Sequence, residues 1–205
     1  VDGEQDPNNT VNGSGLNEND EHSNLLDFMW SSDAADAAPW IQFEFAQVEK
    51  LDKVHVWNHN TQTETILGFG IKEAQIEASV DGETWTDLGT VELPQAAGLP
   101  TYTGIALALD GTVAKYIKVT ALSNWSLLGL PQRGLSEVRF YAVPMRARLE
   151  SPVSGTAGLD PLVELSWRAG REAAQHEVLV GTDPEALSLL ATTDDAAYTA
   201  SLDLD

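Results

Sequence analysis

Four side chains between residues 124 and 133 have the chemistry of a sugar-binding surface. They are Asn124, Trp125, Gln132 and Arg133. A sugar presents C–H faces that stack on an aromatic ring, and hydroxyl groups that pair with planar polar side chains. We therefore expect Trp125 to be a ring platform, with hydrogen bonds from Arg133, Gln132 and Asn124.

A second polar segment follows a short apolar run at residues 54–57. Its candidate sugar contacts are Trp57, His59, Asn60 and Glu64. Structural explanations compete with this one, because Trp57 ends an apolar strand and could pack in the core. His59 has no metal-ligand partner at a useful spacing. If both Trp57 and Trp125 point inward, no aromatic platform remains.

Residues 12–24 (NGSGLNENDEHSN) are dense in side-chain oxygens and poor in apolar groups. This composition suits a hard cation such as calcium, which takes six to eight oxygen ligands. The spacing is not that of an EF-hand. A solvated acidic turn is the alternative explanation of the same residues.

The composition excludes several classes of protein. There are 32 acidic residues against 11 basic ones, and the net charge of −21 disfavours nucleic acid and anionic membrane surfaces. A polyanion partner would need a local basic patch, and the sequence shows none. The chain has no cysteine, and we expect neither a membrane span nor a signal peptide. It lacks nucleophile-elbow, zinc and phosphate-loop motifs, so we expect no catalysis.

The apolar pattern is that of β-strands. Apolar and polar residues alternate in 40–45 and 115–121, and further strands are expected at 54–57, 74–80 and 102–109. No convincing helical period occurs before residue 143. The pattern predicts an all-β sandwich or jelly roll whose long connections, 10–38, 58–70, 90–101 and 122–136, build the binding site.

A domain boundary is expected near residue 144, where a Pro- and Gly-rich stretch begins. We place the first domain at 1–143, a linker at 144–156 and a second β unit at 157–205, with strands at 163–167, 176–181 and 188–193. The second unit resembles the first half of a fibronectin type III or immunoglobulin-like domain. It is too short for the complete fold, which runs to about 100 residues.

Three motifs in the first domain resemble one known family. They are PWIQFEF (39–45), SVDGETW (79–85) and GLPQRGLSEVRFY (129–141), in that order. The chain is similar to the discoidin or coagulation-factor C-type domain, of the galactose-binding-like fold, which includes bacterial carbohydrate-binding modules. The resemblance implies a ligand pocket at one end of the sandwich, built from loops such as those described above. It also implies that Trp40 packs internally.

The resemblance implies a non-catalytic module that attaches a larger secreted or surface protein to glycan. Such a module would be extracellular, bacterial and monomeric within a multidomain chain. The alternative is a protein–protein interaction or adhesion module. A third possibility, phospholipid binding through Leu127, Leu128 and Leu130, is opposed by the charge of the chain.

The resemblance also implies a structural calcium that ties the N-terminal loop to the last strand. Its ligands would be Asn12, Ser14, Asp20 and Glu137. The loop departs from the family pattern, with Asn12 where aspartate is common and an insertion before Asp20.

Overall fold

The computed structural model describes residues 6–202 and divides into two compact units. The first ends at Ala142 and the second begins at Val143. Nearly all regular structure is antiparallel β-strand, which confirms the all-β prediction. Over residues 6–202 no helix is long and apolar enough to cross a membrane.

The first unit is one hydrogen-bonded antiparallel sheet, with strand order β1-β6-β2-β5-β3-β4. Its elements are β1 (Trp30–Ser31), β2 (Trp40–Asn58), α1 (Glu64–Leu67), β3 (Glu73–Ser79), β4 (Thr86–Glu92), β5 (Ile105–Ala121) and β6 (Gly134–Ala142). Two short 3-10 turns, Pro7–Thr10 and Leu26–Phe28, precede the sheet.

The two longest strands, β2 and β5, are bent by irregularities in their pairing. The register shifts between Glu44 and Glu49 and again between Leu51 and Lys53. Such bulges bend a strand and increase its twist. Side chains from both halves of β2 and β5 therefore meet in one apolar core, which also takes residues from β3 and β6.

Alternation along β2 explains which side chains fill that core. Ile41 and Phe43 are buried, and the intervening Gln42 is exposed. Trp40 stands on the outer face and is 57% exposed, so the prediction that it packs internally was wrong. It is the one exposed tryptophan of the six.

The second unit contains two small sheets. One has the order β11-β8-β7, from β7 (Arg148–Ser151), β8 (Leu162–Arg168) and β11 (Ala197–Ser201). The other pairs β9 (His176–Val180) with β10 (Ser188–Thr193). The expected linker at 144–156 thus includes a strand, because β7 pairs with β8.

Candidate functional site

One end of the first unit gathers loops that are far apart in sequence. Gly70 bridges Gly134, and Ile71 bridges Asn124. We call the surface formed by residues 61–72, 93–104 and 122–133 the loop face. Beneath it lies a set of fully buried polar side chains, which we call the polar hub. Its members are Asn58, His59, Asn60 and Glu64.

Asn58 is fully satisfied within the hub. Its Nδ2 donates to the carbonyl oxygens of Ile71 at 2.8 Å and Pro94 at 2.9 Å. Its Oδ1 accepts from the backbone N–H of His59 at 3.0 Å and of Ile71 at 2.9 Å. An amide has two donor hydrogens and two acceptor lone pairs, so every position is used. The end of β2 is thereby fixed to the start of β3 and to the loop after β4.

Asn60 plays the same part for other loops. Its Nδ2 donates to the carbonyl oxygen of Leu99 at 2.8 Å and of His22 at 3.3 Å. Its Oδ1 accepts from the N–H of Gly98 at 2.9 Å. The N-terminal loop and the loop before β5 are therefore held against the end of β2.

Glu64 and His59 complete the hub. The Oε1 atom of Glu64 accepts from the N–H of Gly70 at 2.7 Å, and its Oε2 lies 2.8 Å from Nδ1 of His59. Both side chains are 0% exposed. The pair holds the turn after α1 in position.

Trp125 lies half-buried on the loop face. Its indole N–H donates to the carbonyl oxygen of Leu93 at 2.9 Å. The ammonium group of Lys72 lies 4.9 Å from the ring centroid, a cation–π distance. Gly68 ends α1 at a φ of 66° and lies so close to the backbone of Trp125 and Ser126 that a side chain would not fit. The ring is thus fixed in place and partly covered.

Arg133 and Gln132 adjoin the same loop. The contacts of the Arg133 guanidinium with residues 6–202 are long, to the carbonyl oxygens of Pro131 at 3.3 Å and Leu122 at 3.5 Å. Within residues 6–202, its Nε and the Oε1 of Gln132 are buried without a hydrogen-bond partner. The side chain of Asn124 instead bonds within its own loop, where Nδ2 donates to the carbonyl oxygens of Leu130 and Gln132.

The structure therefore corrects half of the predicted sugar contacts. Trp57, His59, Asn60 and Glu64 are at most 1% exposed, so a ligand cannot touch their side chains. They hold the loops instead, and the indole N–H of Trp57 donates to the carbonyl oxygen of Asp20. The other four, Asn124, Trp125, Gln132 and Arg133, stay predictions. Sequence reasoning missed Lys72, whose position over Trp125 depends on the pairing of distant segments.

Three of the four predicted calcium ligands are engaged with other protein groups. Asn12 and Ser14 are exposed, and Oδ1 of Asn12 accepts from the backbone N–H of Ser14. Arg139 takes the position between the other two, with a nitrogen 2.8 Å from Oδ1 of Asp20 and another 3.8 Å from Oε1 of Glu137. Within residues 6–202 no cluster of three or more acidic or imidazole side chains could hold a metal. These four side chains do not fit a calcium ion in this arrangement.

The link expected from calcium is made by protein groups. Oε2 of Glu137 accepts from the backbone N–H of Gly13 at 3.2 Å, which joins the N-terminal loop to β6. Burial raises the pKa of the Glu137 carboxyl, while the bond from Gly13 and the charge of Arg139 oppose that shift. Calcium binding by the chain stays a prediction.

Solved structures with the same fold come from bacterial proteins. The modules CBM32-1 and CBM32-2 of ZmpB from Clostridium perfringens, in complex with GalNAc, are 16% identical over 67% of this chain and 30% of that one, with a TM-score of 0.50. CpGH89CBM32-5 from the same organism, in complex with GalNAc-β-1,3-galactose, is 14% identical over 67% and 90%, with a TM-score of 0.47. The likeness to the ZmpB modules shows the fold alone.

A third structure is a whole enzyme. The family 89 glycoside hydrolase of Clostridium perfringens, in complex with 2-acetamido-1,2-dideoxynojirmycin, is 14% identical over 69% of this chain, with a TM-score of 0.47. This chain spans 13% of that enzyme. No curated protein matches the chain.

A family model settles the classification. The model described as F5/8 type C domain matches residues 1–129, which is more than half of the sequence. The match includes the first two motifs named above and, from the loop that carries Trp125, residues 122–129. This chain belongs to the F5/8 type C domain family.

Proposed function

We propose that the first unit is a non-catalytic carbohydrate-binding module and that the loop face holds the glycan. The observation that carries this proposal is the half-buried indole of Trp125, fixed on the same loop face that carries the weakly engaged guanidinium of Arg133. Membership of the F5/8 type C family supports it. So does the shared fold with a module pair whose structure contains GalNAc.

Binding proceeds without covalent chemistry. The exposed edge of Trp125 packs against the C–H groups of a sugar ring, and the terminal nitrogens of Arg133 donate to its oxygens. Gln132 has an unused oxygen behind this surface, which can pair with a donor if its side chain turns outward. The polar hub fixes the backbone of the face before any ligand arrives, as in most small-molecule sites.

The shared fold with the bacterial module pair also suggests what kind of protein contains this module. We infer that it belongs to a larger bacterial protein, secreted or displayed at the cell surface, which it attaches to glycan. A shallow and hydrated site binds weakly by itself, and linkage to other modules raises the overall affinity.

The test is a glycan-array screen of the chain, with Trp125→Ala as the variant and Trp85→Ala as its matched control. Both tryptophans are half-buried beneath a lysine, at 4.9 Å for Trp125 and 4.6 Å for Trp85. The β3 strand separates them by about 20 Å, because a strand rises about 3.3 Å per residue. We expect specific binding that Trp125→Ala abolishes and Trp85→Ala retains. If both variants lose glycan binding, the cause is loss of stability. If both variants retain it, Trp125 is not part of the site.

A second candidate function, docking of a protein partner, is favoured by one observation. The loop face carries exposed apolar side chains, Leu127 at 95%, Leu128 at 64% and Ile66 at 64%. Exposed apolar patches often mark interaction sites. No binding by the folded chain across a broad array would overturn the carbohydrate proposal and favour this one.

A further inference from the structure

The loop face differs in charge from the rest of the chain. Its three segments contain only three charged residues, Glu64, Lys72 and Arg133, although the whole chain has 32 acidic residues. Glu64 is buried in the polar hub and engaged with His59. The surface charges of these segments are therefore the two cations Lys72 and Arg133.

These two cations lack acidic partners. In the same unit Lys115 lies 3.1 Å from Glu44, Lys118 lies 2.6 Å from Glu77, and Arg139 pairs with Asp20. Among residues 6–202, neither Lys72 nor Arg133 has a carboxylate within the 4.0 Å of an ion pair. Acidic side chains outnumber basic ones almost threefold, so two unpaired cations on one face leave positive charge available to a ligand.

The two cations border the same loop, although they are far apart in sequence. The backbone N–H of Lys72 donates to the carbonyl oxygen of Ser123, and its ammonium lies over the ring of Trp125. Arg133 reaches the carbonyl oxygen of Leu122, the residue before Ser123. That contact, at 3.5 Å, is at the limit of a hydrogen bond. Each terminal nitrogen of the guanidinium has a second N–H, which can donate to a stronger acceptor.

Acidic residues adjoin the loop face on neighbouring segments. Glu73 accepts a hydrogen bond from the hydroxyl of Ser123. The backbone N–H of Arg133 donates to the side chain of Ser32. Asp33 and Asp36 lie on the exposed loop that follows Ser32. These carboxylates and the net charge of −21 repel an extended polyanion. They favour a ligand whose negative charge is confined to the space between the two cations.

We propose that the loop face binds its glycan at an anionic substituent, a sulfate ester or a uronate carboxylate, held by Lys72 and Arg133 beside Trp125. Both groups present two coplanar oxygens to a guanidinium, which binds them through paired N–H donors. Lys72 adds a point charge next to the ring. This inference rests on the carbohydrate-binding function proposed above and assigns its class of ligand.

The test compares oligosaccharides that differ only in charge. A galactose disaccharide with a single sulfate ester is measured against its unsulfated form, and a disaccharide with a single galacturonate against its methyl ester, by calorimetry on the full chain. Hydrogen bonds to charged groups contribute about 1.5–3 kcal/mol, which corresponds to tenfold or more in affinity. We expect one anionic member of these pairs to bind at least tenfold more tightly than its neutral counterpart.

Two variants assign that preference to residues. Lys72→Gln and Arg133→Gln should each weaken binding to the anionic form about tenfold, and the double variant should remove the preference. The double variant Lys50→Gln/Lys115→Gln changes the net charge equally, away from the loop face, and should bind as the parent chain does. Thermal melting of every variant shows whether it is folded.

Each other outcome overturns a defined part of the proposal. Equal binding of charged and neutral forms overturns the anionic ligand and leaves the carbohydrate function standing. A preference that survives the double variant overturns the assignment to Lys72 and Arg133. Binding to none of these glycans, with binding to phosphatidylserine vesicles instead, overturns the anionic glycan and counts against the carbohydrate function.

Discussion

Substitution of Asn58 by aspartate is the sharpest test of the polar hub. The two side chains have the same shape, so Asn58→Asp opens no cavity, but it removes both donor hydrogens. Those hydrogens bond to the carbonyl oxygens of Ile71 at 2.8 Å and Pro94 at 2.9 Å. In the variant each carbonyl would face a carboxylate oxygen across nearly the same distance. The variant therefore removes the two hydrogen-bond donors without changing how the side chain packs.

The size of the expected effect follows from the number of bonds lost. A buried polar group without its partner costs about 1–3 kcal/mol, so two cost about 2–6 kcal/mol. Asn58 is 1% exposed, and burial of an ionised carboxyl adds to this loss. A domain's total free energy of unfolding is about 5–15 kcal/mol. We therefore expect Asn58→Asp to lose a large part of the stability of the first unit.

The assay is urea unfolding of the full chain, followed by tryptophan fluorescence. Five of the six tryptophans lie in the first unit, so the signal reports mainly on that unit. Asn19→Asp is the control, because Asn19 is exposed and the change in charge is the same. Surface substitutions usually change stability by about 0.5 kcal/mol or less. A loss in Asn58→Asp that does not exceed the loss in Asn19→Asp by at least 1 kcal/mol would refute the account of the hub.

The pH dependence of the same variant provides an internal check. A protonated carboxyl has one O–H donor and restores one of the two lost bonds. The difference between Asn58→Asp and Asn19→Asp should therefore shrink as the pH is lowered towards about 4, near the ordinary pKa of aspartate. A difference that stays constant with pH would mean that the lost donors are not its cause.

Three further predictions concern other parts of the site. Gly68→Ala should weaken glycan binding in an array or calorimetric assay, because the added methyl group displaces the loop of Trp125; unchanged binding would contradict this packing. Burial lowers the pKa of His22 from 6.5, and this effect is larger than the opposing effect of its hydrogen bond to a backbone carbonyl. As the pH falls, His22 is therefore protonated in the unfolded chain before it is protonated in the folded chain. Stability should fall as the pH drops below about 6.5, by up to about 1.4 kcal/mol per pH unit in urea unfolding, and a flat profile from pH 7.5 to 5.5 would count against it. Arg139→Gln should lower the melting temperature and make it sensitive to added calcium; destabilisation of the unsubstituted chain by a chelator would instead favour a resident ion.

The strands of the first unit could be predicted where one face is apolar. Alternation identified the start of β2 and the end of β5, and the apolar pattern identified most of β3, because a two-residue period reflects one buried and one exposed face. β4 was missed, since most of its side chains are exposed. β5 was expected as two strands. Asp110 and Gly111 have positive φ values of 49° and 79°, and they bend the strand without ending it.

The candidate site was harder to predict, because burial of a polar residue depends on distant parts of the chain. The run Asn58-His59-Asn60 has the composition of an exposed loop, yet carbonyl groups from three other segments surround it, those of Ile71, His22, and Pro94 with Leu99. Trp40 shows the opposite case, since the family resemblance implies a core position and its place on the outer face of β2 exposes it. Lys72 and Arg133 are adjacent to one loop only because β3 and β6 begin at the same end of the unit.

The polar hub also determines how the loop face should respond to a ligand. The backbone of the face is held by the buried bonds of Asn58, Asn60 and Glu64, so binding need not order the loops. The entropic cost is then confined mainly to side chains such as Lys72 and Arg133, at about 0.5–1.5 kcal/mol each. It follows that Asn58→Asp, at a temperature where the variant is still folded, should weaken binding without altering any group that touches the glycan. If the folded variant binds as tightly as the parent chain, the rigidity of the face does not contribute to affinity.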